Sequence, residues 1–165
     1  MAAALLLPIY PVHAHETRTS SRWLVKNSDL IFQGVVTGVQ YRVSDVIDPN
    51  QDVPVPHTFV ALRIDRVFKG RSATQGNITI RLQGGLDAAA GEILRITGVP
   101  AFDVGEAVVL FVRGNTKRLC PVQGWNRGRF RVAGGNVFTE FGEEVWITAN
   151  NEFVMGPSHP LPEVI

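Results

Sequence analysis

Between residues 57 and 69, Thr58, Val60, Leu62 and Ile64 alternate with Phe59, Ala61, Arg63 and Asp65, and Lys69-Gly70 closes the run. A period of two turns one set of side chains to a buried face and the other to a mixed face, as in a half-buried β-strand. The pattern repeats where Ile78, Ile80 and Leu82 alternate with Thr79 and Arg81 before Gly84-Gly85. A longer β-prone stretch runs from about Leu30 to Val43 and is interrupted by Gly34 and Gly38. Glycine inside a strand marks a bend or bulge, so this strand is expected to curl. The strongest β run is Ala107 to Arg113, entered through Asp103-Val104-Gly105-Glu106.

Weaker signals complete the element list. Ser20 or Ser21 caps a short helix carrying Trp23, Leu24 and Asn27. Asp45 to Pro56 contains Asp48-Pro49-Asn50 and two further prolines, the chemistry of a long loop. Ile93, Leu94 and Ile96 suggest a short strand, with a small alanine-rich turn from Asp87 to Gly91 before it. Leu119 to Val122 is expected to be a strand, followed by a hairpin of Arg129–Val132 with Asn136–Thr139 around Gly134-Gly135. A second hairpin pairs Val145–Thr148 with Phe153–Met155. The sum is an all-β chain: a five-stranded OB-type Greek-key barrel with a short N-terminal helix and a C-terminal β-hairpin extension.

Composition narrows the setting. With 165 residues and 45% hydrophobic content, one core is expected. A formal net charge of +1 does not imply a dedicated polyanion binder, so no nucleic-acid partner is expected. Met1 to Ala14 is apolar, uncharged and ends in Val12-His13-Ala14, which reads as a secretory signal cut after Ala14. It lacks a basic residue near Met1, which fits a start assigned too far downstream. The run is shorter than the roughly 20 apolar residues of a membrane span, and Pro8 and Pro11 break it. The expected organisation is a signal at 1–14, a barrel at 15–132, a hairpin extension at 133–155 and a flexible tail at 156–165, secreted or held in the periplasm or envelope. A single cysteine, Cys120, permits no internal disulfide and reads as a small buried hydrophobe.

The usual catalytic signatures are absent: there is no G-x-S-x-G, P-loop, dinucleotide fingerprint or H-E-x-x-H. No cofactor and no catalytic residue are expected, which favours a non-enzymatic binding module. Asp29 reads as a turn residue bonding nearby amides. His57 opens a strand after a proline loop, where an exposed histidine is ordinary; paired with an N-terminal His15, it is the one candidate second arm for a copper- or zinc-dependent enzyme. Lys117, Arg118, Arg127, Arg129 and Arg131 interleave with Trp125 and Phe130, and hairpin alternation places these arginines on a solvated face. Exposed Trp125 and Phe130 would serve an envelope carbohydrate-binding module.

Four segments carry a resemblance: Asn27-Ser28-Asp29-Leu30-Ile31-Phe32-Gln33-Gly34, Arg63-Ile64-Asp65-Arg66-Val67-Phe68-Lys69-Gly70, Asp103-Val104-Gly105-Glu106 with Val108-Val109-Leu110-Phe111, and Leu119-Cys120-Pro121. Together they resemble the netrin-like module, the OB-type barrel of tissue inhibitors of metalloproteinases. The resemblance implies a protein partner, with a zinc metalloprotease as its most specific form. In those inhibitors the α-amine and carbonyl of the first mature residue, a cysteine, chelate the protease zinc. The counterpart here is His15, with Glu16 and Thr17 next into the cleft; its α-amine, carbonyl and imidazole all suit zinc. The inhibitors' pinning disulfides have no counterpart in this chain.

Overall fold

The computed structural model describes residues 20–44, 54–71, 76–147 and 153–158. His15, Glu16, Thr17 and the whole of the expected signal lie outside them, as do residues 159–165 of the expected tail. Helix α1 spans Ser21–Asn27, and ten strands follow: β1 Leu30–Ser44, β2 Val55–Lys69, β3 Asn77–Gln83, β4 Gly85–Asp87, β5 Glu92–Leu94, β6 Ala107–Val112, β7 Arg129–Ala133, β8 Asn136–Phe138, β9 Glu143–Ile147 and β10 Phe153–Ser158. Eight of them form one sheet in the order β10-β9-β8-β7-β6-β1-β2-β3, and β4 pairs with β5 separately. All the pairings are antiparallel. The chain is therefore an all-β protein with one short helix among the described residues.

Strand β1 organises the sheet. Ile31 to Ser44 run alongside β2, while Leu30 to Val35 pair with β6. The β1–β2 register shifts at Gln33/Gly34 and Val36/Gly38, so the two glycines sit where the strand bends, as the sequence predicts. At Gly34 a side chain is excluded outright: a Cβ there would lie 2.3 Å from the Arg63 carbonyl oxygen.

Two apolar layers lie on opposite faces of the β1–β6 pair. Leu30, Phe32 and Val36 join Val60, Leu62, Ile80, Leu82, Val108, Leu110 and Val112 in the larger core. The alternate residues Ile31 and Phe111 turn the other way and pack with Leu24 of α1 and Phe130 of β7. Because β6 is covered on both sides, its sequence is an unbroken apolar run rather than an alternation. The C-terminal hairpins continue the same sheet through β7, and β10 runs on to Ser158.

Among the described residues no sheet is closed: β3 and β10 are the two edges of the eight-stranded sheet. The strand expected at Leu119–Val122 is irregular, with a single bridge between Val112 and Val122. Pro121 interrupts it, since proline has no N–H to give to a ladder. The 115–123 segment nevertheless connects the β3 edge to β6. Gln83 N donates to Leu119 O (2.8 Å), Arg113 N to Pro121 O (2.8 Å) and Gln123 N to Phe111 O (2.7 Å). The Asn115 side chain stands in for a strand residue, donating to Thr79 O at 2.7 Å and accepting from Arg81 N at 3.3 Å. These bonds satisfy edge groups that would otherwise need water.

Candidate functional site

The irregular segment and helix α1 frame a cleft of about 590 Å³, lined among others by Trp23, Arg113, Lys117, Arg118, Leu119 and Trp125. Trp23 is 44% exposed and Trp125 39% exposed. Two large aromatic rings thus stand in water beside three exposed cations. Such a surface has the composition of an interface hot spot.

Each wall of the cleft is anchored. Ser20 caps α1, its hydroxyl accepting from Trp23 N at 3.2 Å. At the other helix end, Lys69 Nζ donates to the carbonyls of Val25 and Ser28, both at 2.7 Å, and the Ser28 hydroxyl donates to Leu24 O at 2.7 Å. A cation at a helix C-terminus satisfies orphan carbonyls and meets the negative end of the helix dipole. The end of β2 thereby fixes the helix that carries Trp23.

The opposite wall is a tight loop. The sequence predicts that Asp29 bonds amides next to it in the chain; instead its Oδ2 accepts from Gly114 N at 2.9 Å, 85 residues away. Arg81 Nη2 donates to Thr116 O at 2.5 Å, and Arg118 Nη1 donates to Gln123 Oε1 at 3.1 Å. Trp125 opens a 3₁₀ helix, Trp125–Gly128, whose Asn126 N donates to Gly98 O at 2.9 Å. The two non-glycine residues with positive φ among the described residues, Thr116 at 71° and Trp125 at 61°, both belong to this segment. A β-branched or bulky side chain in the left-handed region costs about 1–2 kcal/mol, and such outliers concentrate at binding sites.

Cys120 lines the cleft floor and is buried, in agreement with its reading as a small hydrophobe. Desolvation by burial pushes its thiol up to about 11, against smaller lowering effects of its bond to the Val122 carbonyl and of Arg118. Its thiol is protonated near neutral pH and is not a nucleophile there.

The other sequence candidates are dispersed. His57 is not an exposed strand opener: it is 0% exposed inside β2, its Nδ1 lies 2.9 Å from Val55 O, and it faces Gln83 across the ladder. Alternation along β2 puts it on the face of Phe59, whose ring centroid lies 6.3 Å away, opposite to Val60, and it is closed off from solvent there. Phe130 is 4% exposed and packs edge-on against Phe111 with centroids 5.7 Å apart, so it offers no stacking face beside Trp125. Among the described residues no group of three or more His, Cys, Asp or Glu side chains converges as a metal site.

The arginine array also divides. Arg129 is not on a solvated face: it is 4% exposed, and its Nη2 donates to both carboxylate oxygens of Glu106, at 2.6 and 2.7 Å. Arg131 Nε also pairs with Glu106, and Arg129 Nη1 with Glu140. A buried carboxylate needs such partners, which overrides the hairpin's outward alternation. Nothing in the period of the sequence marks Glu106 as buried; the signal is its position just before a strand covered on both faces.

No protein-family model matches the chain, and no curated protein or solved structure matches it either. The functional reading therefore rests on the geometry of this cleft.

Proposed function

We propose that this chain is an exported, non-enzymatic binding module that receives a protein partner on the tryptophan-lined cleft, with inhibition of a zinc metalloprotease as its most specific form. The observation that carries this reading is the pair Trp23 and Trp125, left exposed beside Arg113, Lys117 and Arg118 on walls tied to the sheet. Tryptophan and arginine dominate binding energy at protein interfaces, and anchored walls lower the ordering cost of association. Export is supported by the apolar Met1–Ala14 stretch. The OB-type reading is supported by the bent β1 and by the 115–123 segment that links β3 to β6. In this reading the segment takes the place of the closing strand, and the chain is a divergent relative of the netrin-like module.

The test uses the chain beginning at His15, the same chain with one extra N-terminal alanine, and the Trp23→Ala and Trp125→Ala variants, against a panel of zinc metalloproteases. Inhibition that the added alanine abolishes and that each tryptophan substitution weakens by about 10-fold or more establishes both the chelating terminus and the cleft. Absence of inhibition by folded chain at micromolar concentration rejects the protease form. Weakening by the tryptophan changes alone would place a partner on the cleft without zinc chelation.

A second reading takes the two tryptophans as a platform for a glycan. It is favoured by the exposure of Trp125 and Trp23 together, in place of the Trp125 and Phe130 pair.

A further inference from the structure

The tryptophan-lined cleft carries an unbalanced charge. Among the described residues that line it, Arg113, Lys117 and Arg118 are cations and none is acidic. All three are exposed, and among the described residues none of them pairs with a carboxylate. Other arginines do find such partners: Arg63 pairs with Asp65, and Arg129 and Arg131 with Glu106. The chain as a whole has sixteen basic residues against fifteen acidic ones, so the positive field belongs to this wall rather than to the molecule.

The groups beside the cations are apolar and held in place. A Cβ on Gly124 would lie 3.6 Å from Trp23 Cζ3, and one on Gly98 3.7 Å from Trp125 Cε3, so each indole rests against bare backbone. Cys120 and Val122 form a buried floor below them. Arg118 Nη1 donates to Gln123 Oε1 at 3.1 Å, which holds the guanidinium at the wall with donors to spare. Guanidinium groups match carboxylates in geometry, while indole faces and an apolar floor take up hydrocarbon side chains. A polypeptide segment can bring both kinds of group at once. A sulfated glycan would bring anions and no side chain for the floor.

We infer that the part of the partner received in this cleft is an acidic segment, with Asp or Glu carboxylates on Arg113, Lys117 and Arg118 and an apolar side chain against the indoles and the floor. This rests on the reading of the cleft as a protein-binding site and adds the chemistry of what it binds. Exposed charges of this kind act on encounter rate and partner choice, each pair changing affinity by about 1.5–5-fold.

The test is a titration of the full, ¹⁵N-labelled chain with acetyl-Gly-Glu-Leu-Glu-Phe-Glu-Gly amide and with the same peptide carrying Gln for each Glu, read at the indole N–H groups. Trp146, on β9 and outside the cleft lining, is the internal control. The expected result is saturable shifts at Trp23 and Trp125 and none at Trp146. The Glu peptide should bind about 10-fold more tightly at about 20 mM salt, an advantage mostly lost at about 0.5 M. Lys117→Glu should cut that advantage about 5-fold and leave the affinity of the Gln peptide within about 2-fold. Equal affinity of the two peptides for the unaltered chain, with the same indoles shifting, would overturn the inference and leave the protein-binding role of the cleft in place. No saturable shift from either peptide up to about 1 mM would overturn it too, and the protease panel with the tryptophan variants then decides that role by itself. Tighter binding of a heparin tetrasaccharide at the same indoles, displacing the Glu peptide, would overturn it in favour of an anionic glycan.

Discussion

Replacing Glu106 by Gln keeps the shape of the side chain and removes its charge from the network that joins the loop before β6 to β7. In the native chain, Glu106 at 3% exposure accepts two bonds from Arg129 and a third from Arg131. Without the carboxylate, the buried Arg129 guanidinium retains Glu140, whose side chain is 28% exposed. Breaking a buried ion pair by removing one partner costs about 3–5 kcal/mol, and the surviving Glu140 contact puts this case near 3. For a domain of this size that corresponds to a fall in Tm of about 6–12 °C. Urea melts of the single variant and of the double variant Glu106→Leu/Arg129→Met measure it. The double change should recover most of the loss, because it removes both buried charges, and the two partners left behind, Arg131 and Glu140, are 24% and 28% exposed and reach water. A loss below about 1 kcal/mol for Glu106→Gln, or a double variant less stable than the single, would refute the argument that an uncompensated arginine is the source of the penalty.

Further outcomes follow from single contacts. Gly34→Ala should cost about 2–3 kcal/mol, because the new methyl meets a backbone oxygen that cannot yield; Gly38→Ala, whose Cβ finds only the Ala61 methyl at 3.8 Å, should change stability by less than about 0.5 kcal/mol. Equal effects in chemical denaturation would show that the close approach at Gly34 is not the cause. Asp29→Ala should free Gly114 N and loosen the cleft loop, raising amide exchange at 114–118 while costing about 1 kcal/mol. Unchanged exchange there would contradict the anchoring role. Cys120 should react with iodoacetamide about 100-fold more slowly than a free thiol, since its pKa is raised from 9.0 to about 11. The unfolded chain loses this proton first, so the stability contribution is complete below about pH 9 and falls as pH rises toward 11. A stability that rises across that window relative to Cys120→Ala would reverse the assignment.

Local chemistry made much of the fold legible. The alternation from Thr58 to Asp65, the unbroken run in β6, the serine cap at Ser20 and the Gly134-Gly135 turn each specify an element that the structure contains. The path of the 115–123 segment was not legible, because it is held by the Asn115 side chain and by isolated carbonyls rather than by a periodic ladder. Tertiary partners decided the remaining differences. Whether an arginine on a hairpin faces solvent depends on a carboxylate distant in sequence, and Arg129 found one. His57 looks like a strand opener until β3 covers it. The segments that suggested a family turn out to be joints. Asn27 and Ser28 bond back into α1, Asp29 holds Gly114, Lys69 caps the helix and Glu106 holds Arg129. Such residues specify an assembly, while Trp23 and Trp125, outside those segments, form the surface it displays.

The position of β1 between β2 and β6 also sets an order of events during synthesis. Its partner in β2 follows after one loop, so that hairpin can form early. Leu30 must wait for Val112, and until then half of β1 presents an unsatisfied edge and an uncovered apolar face. Pairings so distant along the chain make folding slow and leave intermediates prone to aggregate. A polypeptide with this wiring gains from being kept unfolded until β6 has been made, and a chaperone that holds it extended would protect Leu30–Val36 above all.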